Sequence, residues 1–183
     1  MRKFWGAAAV LAVLATTGCV TAESPPAPEP TETTDVSQAP FASEEEALAA
    51  AEEAYRAFLA VADKALQTAS PPSDNIKNPT GNALDDLLQS VRAIERSSRR
   101  QTGNVAVVRV SPADTEGALT SPTLPIQIYS CADYGEVDVL DAQGNSVVDP
   151  ARPDLIAFLV TLLHDGQQLV VSDLEPWTGD GVC

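Results

Sequence analysis

Apolar side chains return every three or four positions from residue 48 onward. Leu48, Ala51, Tyr55, Phe58, Leu59, Ala62 and Leu66 fall along one side of a cylinder, with Glu52, Arg56 and Asp63 elsewhere around it. That period predicts an amphipathic helix. Ser43, followed three residues later by Glu46, forms a capping box at its start, and Glu44 and Glu45 add negative charge where the helix dipole favours it. Ser70-Pro71-Pro72 ends the helix, because a proline excludes its predecessor from the helical conformation. A loop over residues 73–81 is dense in turn formers. Asn82 is then expected to cap a second helix, with Asp85 and Asp86 in its first turn. Leu84, Leu87, Leu88, Val91 and Ile94 mark its apolar face, and Gly103 is its left-handed stop. Beyond that point the chain reads as strands: residues 105–110, 126–131 and 136–140, then a hairpin whose arms, 155–163 and 167–174, flank His164-Asp165-Gly166. Two helices followed by strands of antiparallel type predict an α+β domain, its helices packed on one face of a curved sheet.

The first 42 residues follow neither period. Met1-Arg2-Lys3 is a positive start, and residues 4–15 form an apolar run of 12, short of the roughly 20 a membrane span needs but suited to the core of a signal peptide. Gly18-Cys19 after this run resembles the lipobox of bacterial lipoproteins. The resemblance implies that residues 1–18 are removed and that Cys19 becomes the lipidated first residue. Ordinary secretory cleavage after Ala22 is the alternative. Residues 19–42 then form a tether: from residue 20 on they hold five prolines, four acids and no base, too little apolar surface to fold. The domain proper is 43–183.

Cysteine usage points the same way. Cys183 closes the chain, where packing gives a thiol little reason to be, so its expected use is a disulfide to Cys131. Such a bond persists in an oxidising compartment. It closes a loop spanning 52 positions, worth roughly 4 kcal/mol on the chain-entropy model. Lipidation and plain cleavage both leave this one pair, so the count supports export without choosing between anchored and free. No paired cysteine or histidine spacing suggests zinc, and no metal or cofactor is expected.

The formal charge is −15, and loss of Arg2 and Lys3 with the signal segment leaves 9 basic against 26 acidic residues, or −17. Such a surface repels phosphate backbones and anionic lipid heads, which argues against nucleic acid as a partner. One basic cluster stands out. Arg92, Arg96, Arg99 and Arg100 fall at i, i+4, i+7 and i+8 and are expected to form a stripe late in the second helix. It reads either as a docking stripe for an anionic partner or as a solvated face where positive charge suits the end of a helix.

The segments YSCADYGEVDVLDAQGNSVV and VTLLHDGQQLVVSDLEPWTGDGVC carry a further resemblance. Together with the order of helices and strands, they are similar to secreted actinobacterial lipoproteins of the nuclear transport factor 2-like superfamily, a cone-shaped α+β fold. The matching features are Cys131-Ala132-Asp133 in a mid-sheet strand, a D-x-x-G turn from Asp141 to Gly144, and a terminal hairpin ending in Cys. The resemblance implies a pocket between sheet and helices, catalytic in some members and only binding or filled in others. Asp133 or Asp138 would act there as a base, with Tyr129 or Tyr134 as hydrogen-bond donor. Against that stand turn or bulge geometry at Asp133 and a solvent-facing strand position at Asp138. His164, in a hairpin turn, is a poor general base. Asp138, Asp141 and Asn145 lack the D-x-D-x-D-G run of a calcium loop. No G-x-S-x-G, P-loop or H-E-x-x-H is present.

The reading that results is a non-enzymatic binding or accessory domain of the cell envelope. It is lipid-anchored on the extracytoplasmic side, with an envelope protein or a small apolar ligand as partner. The alternative is an isomerase- or dehydratase-like enzyme acting on a small apolar ligand in the cone. The anchor is testable by itself: Cys19→Ser is expected to release the protein to the medium or leave it unprocessed, followed by fractionation and N-terminal sequencing. Wild-type chains that begin at Glu23 would overturn it.

Overall fold

The computed structural model describes residues 40–73, 78–117 and 121–183; the expected signal segment, Cys19 and the expected tether up to residue 39 lie outside the described residues. Among the described residues no helix is long and apolar enough to cross a membrane.

The first helix, α1 (Glu44–Thr68), starts as its sequence dictates. Ser43 Oγ accepts the Glu46 N–H at 3.2 Å, and the Glu46 carboxylate reaches back to accept the Ala42 N–H at 2.8 Å. Ahead of it, Phe41 packs on the core. The helix ends at Ala69 in the left-handed region, φ 51°. Ala47, Ala51, Tyr55, Phe58 and Leu59 are its buried stripe, with the two alanines fully covered.

That stripe lies on a four-stranded antiparallel sheet of order β2 (Ala106–Asp114), β3 (Ile126–Asp133), β5 (Leu155–His164), β6 (Leu169–Pro176). Alternation along β3 turns Ile126, Ile128, Ser130 and Ala132 inward. Their partners in register on β5 are Leu162, Val160, Phe158 and Ile156, so the inner face is continuous and, apart from Ser130, apolar. Irregularities between Val107 and Arg109, Pro112 and Asp114, and Thr161 and Leu162 bend it. The α+β arrangement with two helices on a curved, mainly antiparallel sheet is therefore observed.

The second helix differs from expectation at both ends. It is α2 (Gly81–Arg96), with Thr80 rather than Asn82 at its N-cap and no side-chain cap bond. Asn82 instead donates to Asp173 Oδ2 at 3.3 Å. The start is set by tertiary contacts: Asn78 Nδ2 donates to Ala54 O at 2.8 Å, Asn78 Oδ1 accepts the Val171 N–H at 3.0 Å, and Thr80 N donates to Val171 O at 2.9 Å. These bonds satisfy the outer edge of β6 at Val171. Leu87 and Val91 of α2 then pack against Ala65 and its neighbours on α1.

The stop is at Ser98, φ 51°, five residues ahead of the expected Gly103. Residues 100–102 form a strand, β1 (Arg100–Thr102), paired antiparallel with β4 (Asp138–Leu140) in a separate two-stranded sheet. Gly103, at φ 72°, makes the turn after β1. A Cβ there would stand 1.8 Å from Glu136 O, so only glycine fits.

The outer face of the sheet is covered by the chain's own end. Trp177 N donates to Ala157 O at 2.8 Å, and the Trp177 ring packs on Tyr129 with centroids 4.8 Å apart. Arg109 on β2 donates to the carbonyls of Gly181 and Val182. Cys183 is bonded to Cys131 with the two Cα atoms 5.1 Å apart. The tail thus crosses β5, β3 and β2 in turn. Cys183→Ser is expected to lower the unfolding free energy by roughly 2–5 kcal/mol in urea melts, and to open the segment after Leu174 to proteolysis. Unchanged stability and protection would show that the backbone and ring contacts hold the tail without the bond.

Candidate functional site

The inner side of the domain is not filled everywhere. Between the second half of α1, α2, β1 and the turn after β3 lies a cavity of about 210 Å³. Its walls include Phe58, Leu59, Leu66, Leu87, Val105 and Leu174. Drug-sized sites run to roughly 300–1,000 Å³, so this one suits a small molecule.

Asp63 is set into the wall. It lies four residues after Leu59 and eight after Tyr55, which puts it on the buried stripe of α1 rather than the polar side assigned to it from sequence. Only 6% of its surface is exposed. Oδ1 accepts from Gln101 Nε2 at 2.7 Å and Oδ2 from the Val105 N–H at 3.0 Å. Gln101 is itself buried, delivered by the strand that sequence reading merged into α2. Burial raises the pKa of the Asp63 carboxyl, and the Val105 and Gln101 donors, which favour the anion, offset this only in part.

Tyr134 lines the same cavity. The turn that carries it is clamped by Arg152, whose Nη2 donates to Tyr134 O at 2.7 Å and Val137 O at 2.9 Å, with the guanidinium 5.9 Å from the ring centroid. Burial, and after it the charge of Asp63, push the phenol up to about 12, while Arg152 acts the other way. Tyr134 is thus a neutral donor near neutral pH. Deeper in, Tyr55 is fully covered, and burial raises its pKa further. Tyr134 adds to that rise and the Ser130 hydroxyl opposes it. Ser130 is close enough for that effect, yet neither Tyr55 Oη nor Ser130 Oγ makes a hydrogen bond of ordinary geometry among the described residues.

Of the residues singled out by sequence, Tyr134 is at the cavity and the others are elsewhere. Asp133 Oδ1 accepts the Gly135 N–H at 2.7 Å and shapes the turn. Asp138 accepts from its neighbour's N–H and from Ser146 Oγ at 2.6 Å. Tyr129 is on the opposite sheet face, under Trp177. His164 Nδ1 accepts the Gly166 N–H at 3.1 Å and borders a different cleft, beside Phe41 and Asn78. Asp141 is turned onto its own loop, and the N–H of Asn145, first among several donors, lowers its pKa. Among the described residues no group of three or more acidic, His or Cys side chains could hold a metal ion.

The expected arginine stripe does not form on one helix. Arg92 and Arg96 are on α2, Arg99 is in the link and Arg100 is in β1, because the helix stops at residue 96. All four are exposed, and none ion-pairs with another described residue.

The raised pKa of Asp63 has a signed consequence. The folded chain keeps this proton to higher pH than the unfolded chain, so the stability it contributes is present at low pH. It is lost as pH rises from the ordinary Asp range through the folded value. The unfolding free energy of the wild type relative to Asp63→Asn is expected to fall as pH rises above the ordinary Asp range and to level off once the folded carboxyl has ionised, measured by urea unfolding along a pH series. A constant difference would show that the folded carboxyl is not raised. Compared with models of known families, with curated proteins and with solved structures, the chain matches none.

Proposed function

We propose that this chain is a ligand-binding lipoprotein domain of the cell envelope. In this reading Cys19 carries the lipid, residues 19–42 are the spacer, and residues 43–183 form a nuclear transport factor 2-like cone that takes a small, mainly apolar ligand. The observation that carries it is the cavity between the helices and β1, where apolar side chains surround one buried acid and one phenol. Export is supported by the Cys131–Cys183 bond, whose natural setting is an oxidising compartment. The acidic balance of the chain supports a partner other than nucleic acid.

One observation favours a second reading. Asp63 and Tyr134 meet at a single cavity, a base and a neutral donor of the kind that moves a proton next to a carbonyl. An isomerase-like activity would use Asp63, in place of the Asp133 or Asp138 that the resemblance implies, with Tyr134 as the donor.

Ser90 separates binding from its absence, since it is exposed yet lines the cavity, so a large side chain there blocks the mouth without entering the core. Indole and benzyl alcohol are expected to bind the wild type in calorimetry and to lose at least about tenfold in affinity for Ser90→Trp, a loss of roughly 1.4 kcal/mol. Equal binding to both would place any ligand elsewhere. Isomerisation of 3-cyclohexen-1-one to its conjugated isomer, followed by absorbance and abolished in Asp63→Asn, would select the enzymatic reading; a background rate would leave binding alone.

A further inference from the structure

We infer that the cavity is built for a small cation, a primary or secondary amine on an apolar body, with its ammonium group on Asp63. This rests on the binding reading above and narrows it to a class of ligand.

The inference starts from an uncompensated charge. Asp63 is more than nine-tenths buried, and both donors that reach it, the Gln101 amide and the Val105 N–H, are neutral. A buried carboxylate costs several kcal/mol unless a cation faces it, and neutral hydrogen bonds return only part of that. Among the described residues that line the cavity, none is basic. Arg152, the cation beside Tyr134, donates to two backbone carbonyls and is not among those lining residues. Arg56 and Lys64 line the neighbouring cleft that Asp63 also borders, Arg56 in an ion pair with Glu52 and neither in an ion pair with Asp63. On the cavity side the acid therefore faces open volume with no counter-charge.

The rest of the lining fits the same ligand. Asp86, on α2, places a second carboxylate at the cavity, so the field inside favours a positive group twice over. The Tyr134 ring lines the same cavity, and an aromatic ring attracts an ammonium. The walls of Phe58, Leu59, Leu66, Leu87 and Val105 suit a compact hydrocarbon body, and the volume of about 210 Å³ limits its size. An anion would meet two carboxylates and no cation. A neutral molecule would displace water from Asp63 without replacing its charge.

The test uses the mature chain at neutral pH and three probes of one shape, benzylamine, benzyl alcohol and benzoate, titrated calorimetrically. Benzylamine is expected to bind at least about tenfold more tightly than benzyl alcohol, the margin of a charge-assisted over a neutral hydrogen bond, and benzoate is expected not to bind. Asp63→Asn is expected to bring benzylamine down to the affinity of benzyl alcohol. Asp86→Asn, at an exposed position that cannot threaten the core, is expected to weaken benzylamine by a smaller factor. Nuclear Overhauser contacts from the bound benzylamine ring to the methyl groups of Leu66 and Leu87 in the wild type locate the ligand even if Asp63→Asn fails to fold. Equal or tighter binding of benzyl alcohol or benzoate in the cavity would overturn the choice of a cation and leave the binding reading standing. Binding of none of the three would remove both, and benzylamine held only on the acidic surface would also remove the inference.

Discussion

Ala47, Ala51, Tyr55, Phe58 and Leu59 of α1 are buried against Ile126, Ile128, Val160 and Leu162 of the sheet, and this contact is the main core on which the other elements are placed. Fully burying a large apolar side chain is worth about 1.5–3 kcal/mol, so this interface dominates the stability of the domain. Fully buried alanines in the first turns let the helix lie close to the sheet there. Further along, α2 takes over as the partner, with Leu87 and Val91 against Ala65. The cavity lies between these two contacts, with Phe58 and Leu59 at one side and Leu66 and Leu87 at the other.

The same geometry explains why polar groups are found so deep. A helix that rotates 100° per residue brings position 63 to the same side as positions 55 and 59, whatever its polarity. At Asp63 this chain breaks its own stripe, and two elements supply hydrogen bonds to make that tolerable, β1 through Gln101 and the start of β2 through Val105. The short sheet of β1 and β4 is best understood through this role. It is only three residues long, yet it turns one amide toward α1, and Gly103 packs it against Glu136 O at a distance no other residue allows. Arg152 does equivalent work for Tyr134, holding the backbone of its turn from below the ring.

The two faces of the sheet are covered by different means. Helices cover the inner one by area. Among the described residues the outer one is covered by a tail with one large apolar side chain, Trp177, and it is held by a covalent bond, an arginine to two carbonyls and one backbone hydrogen bond. A segment of this composition cannot repay its own ordering entropy by burial alone, which is why a cross-link is the economical solution.

Local signals decided what sequence alone could determine. The capping box at Ser43, the 3.6-residue period through Leu59, the alternation along β3 and the turn at His164-Asp165-Gly166 act within a few residues, and each element appeared where those signals put it. The Cys131–Cys183 pair was legible from cysteine arithmetic, because lipidation and plain cleavage both leave these two. Long-range contacts decided the rest. Residues 97–102 look like more helix until Gln101 is needed by Asp63 and Leu140 offers Arg100 a strand to pair with. Asn82 looks like a cap until Asn78 and Thr80 bond to Val171 and set the start of α2 for it. Asp63 was the residue most open to being found, since its spacing from Tyr55 and Leu59 places it on the buried side, but its charge argued for the surface. A carboxylate is buried only when donors from elsewhere in the fold meet it, and those donors, 38 and 42 positions away, are brought to it by tertiary structure alone.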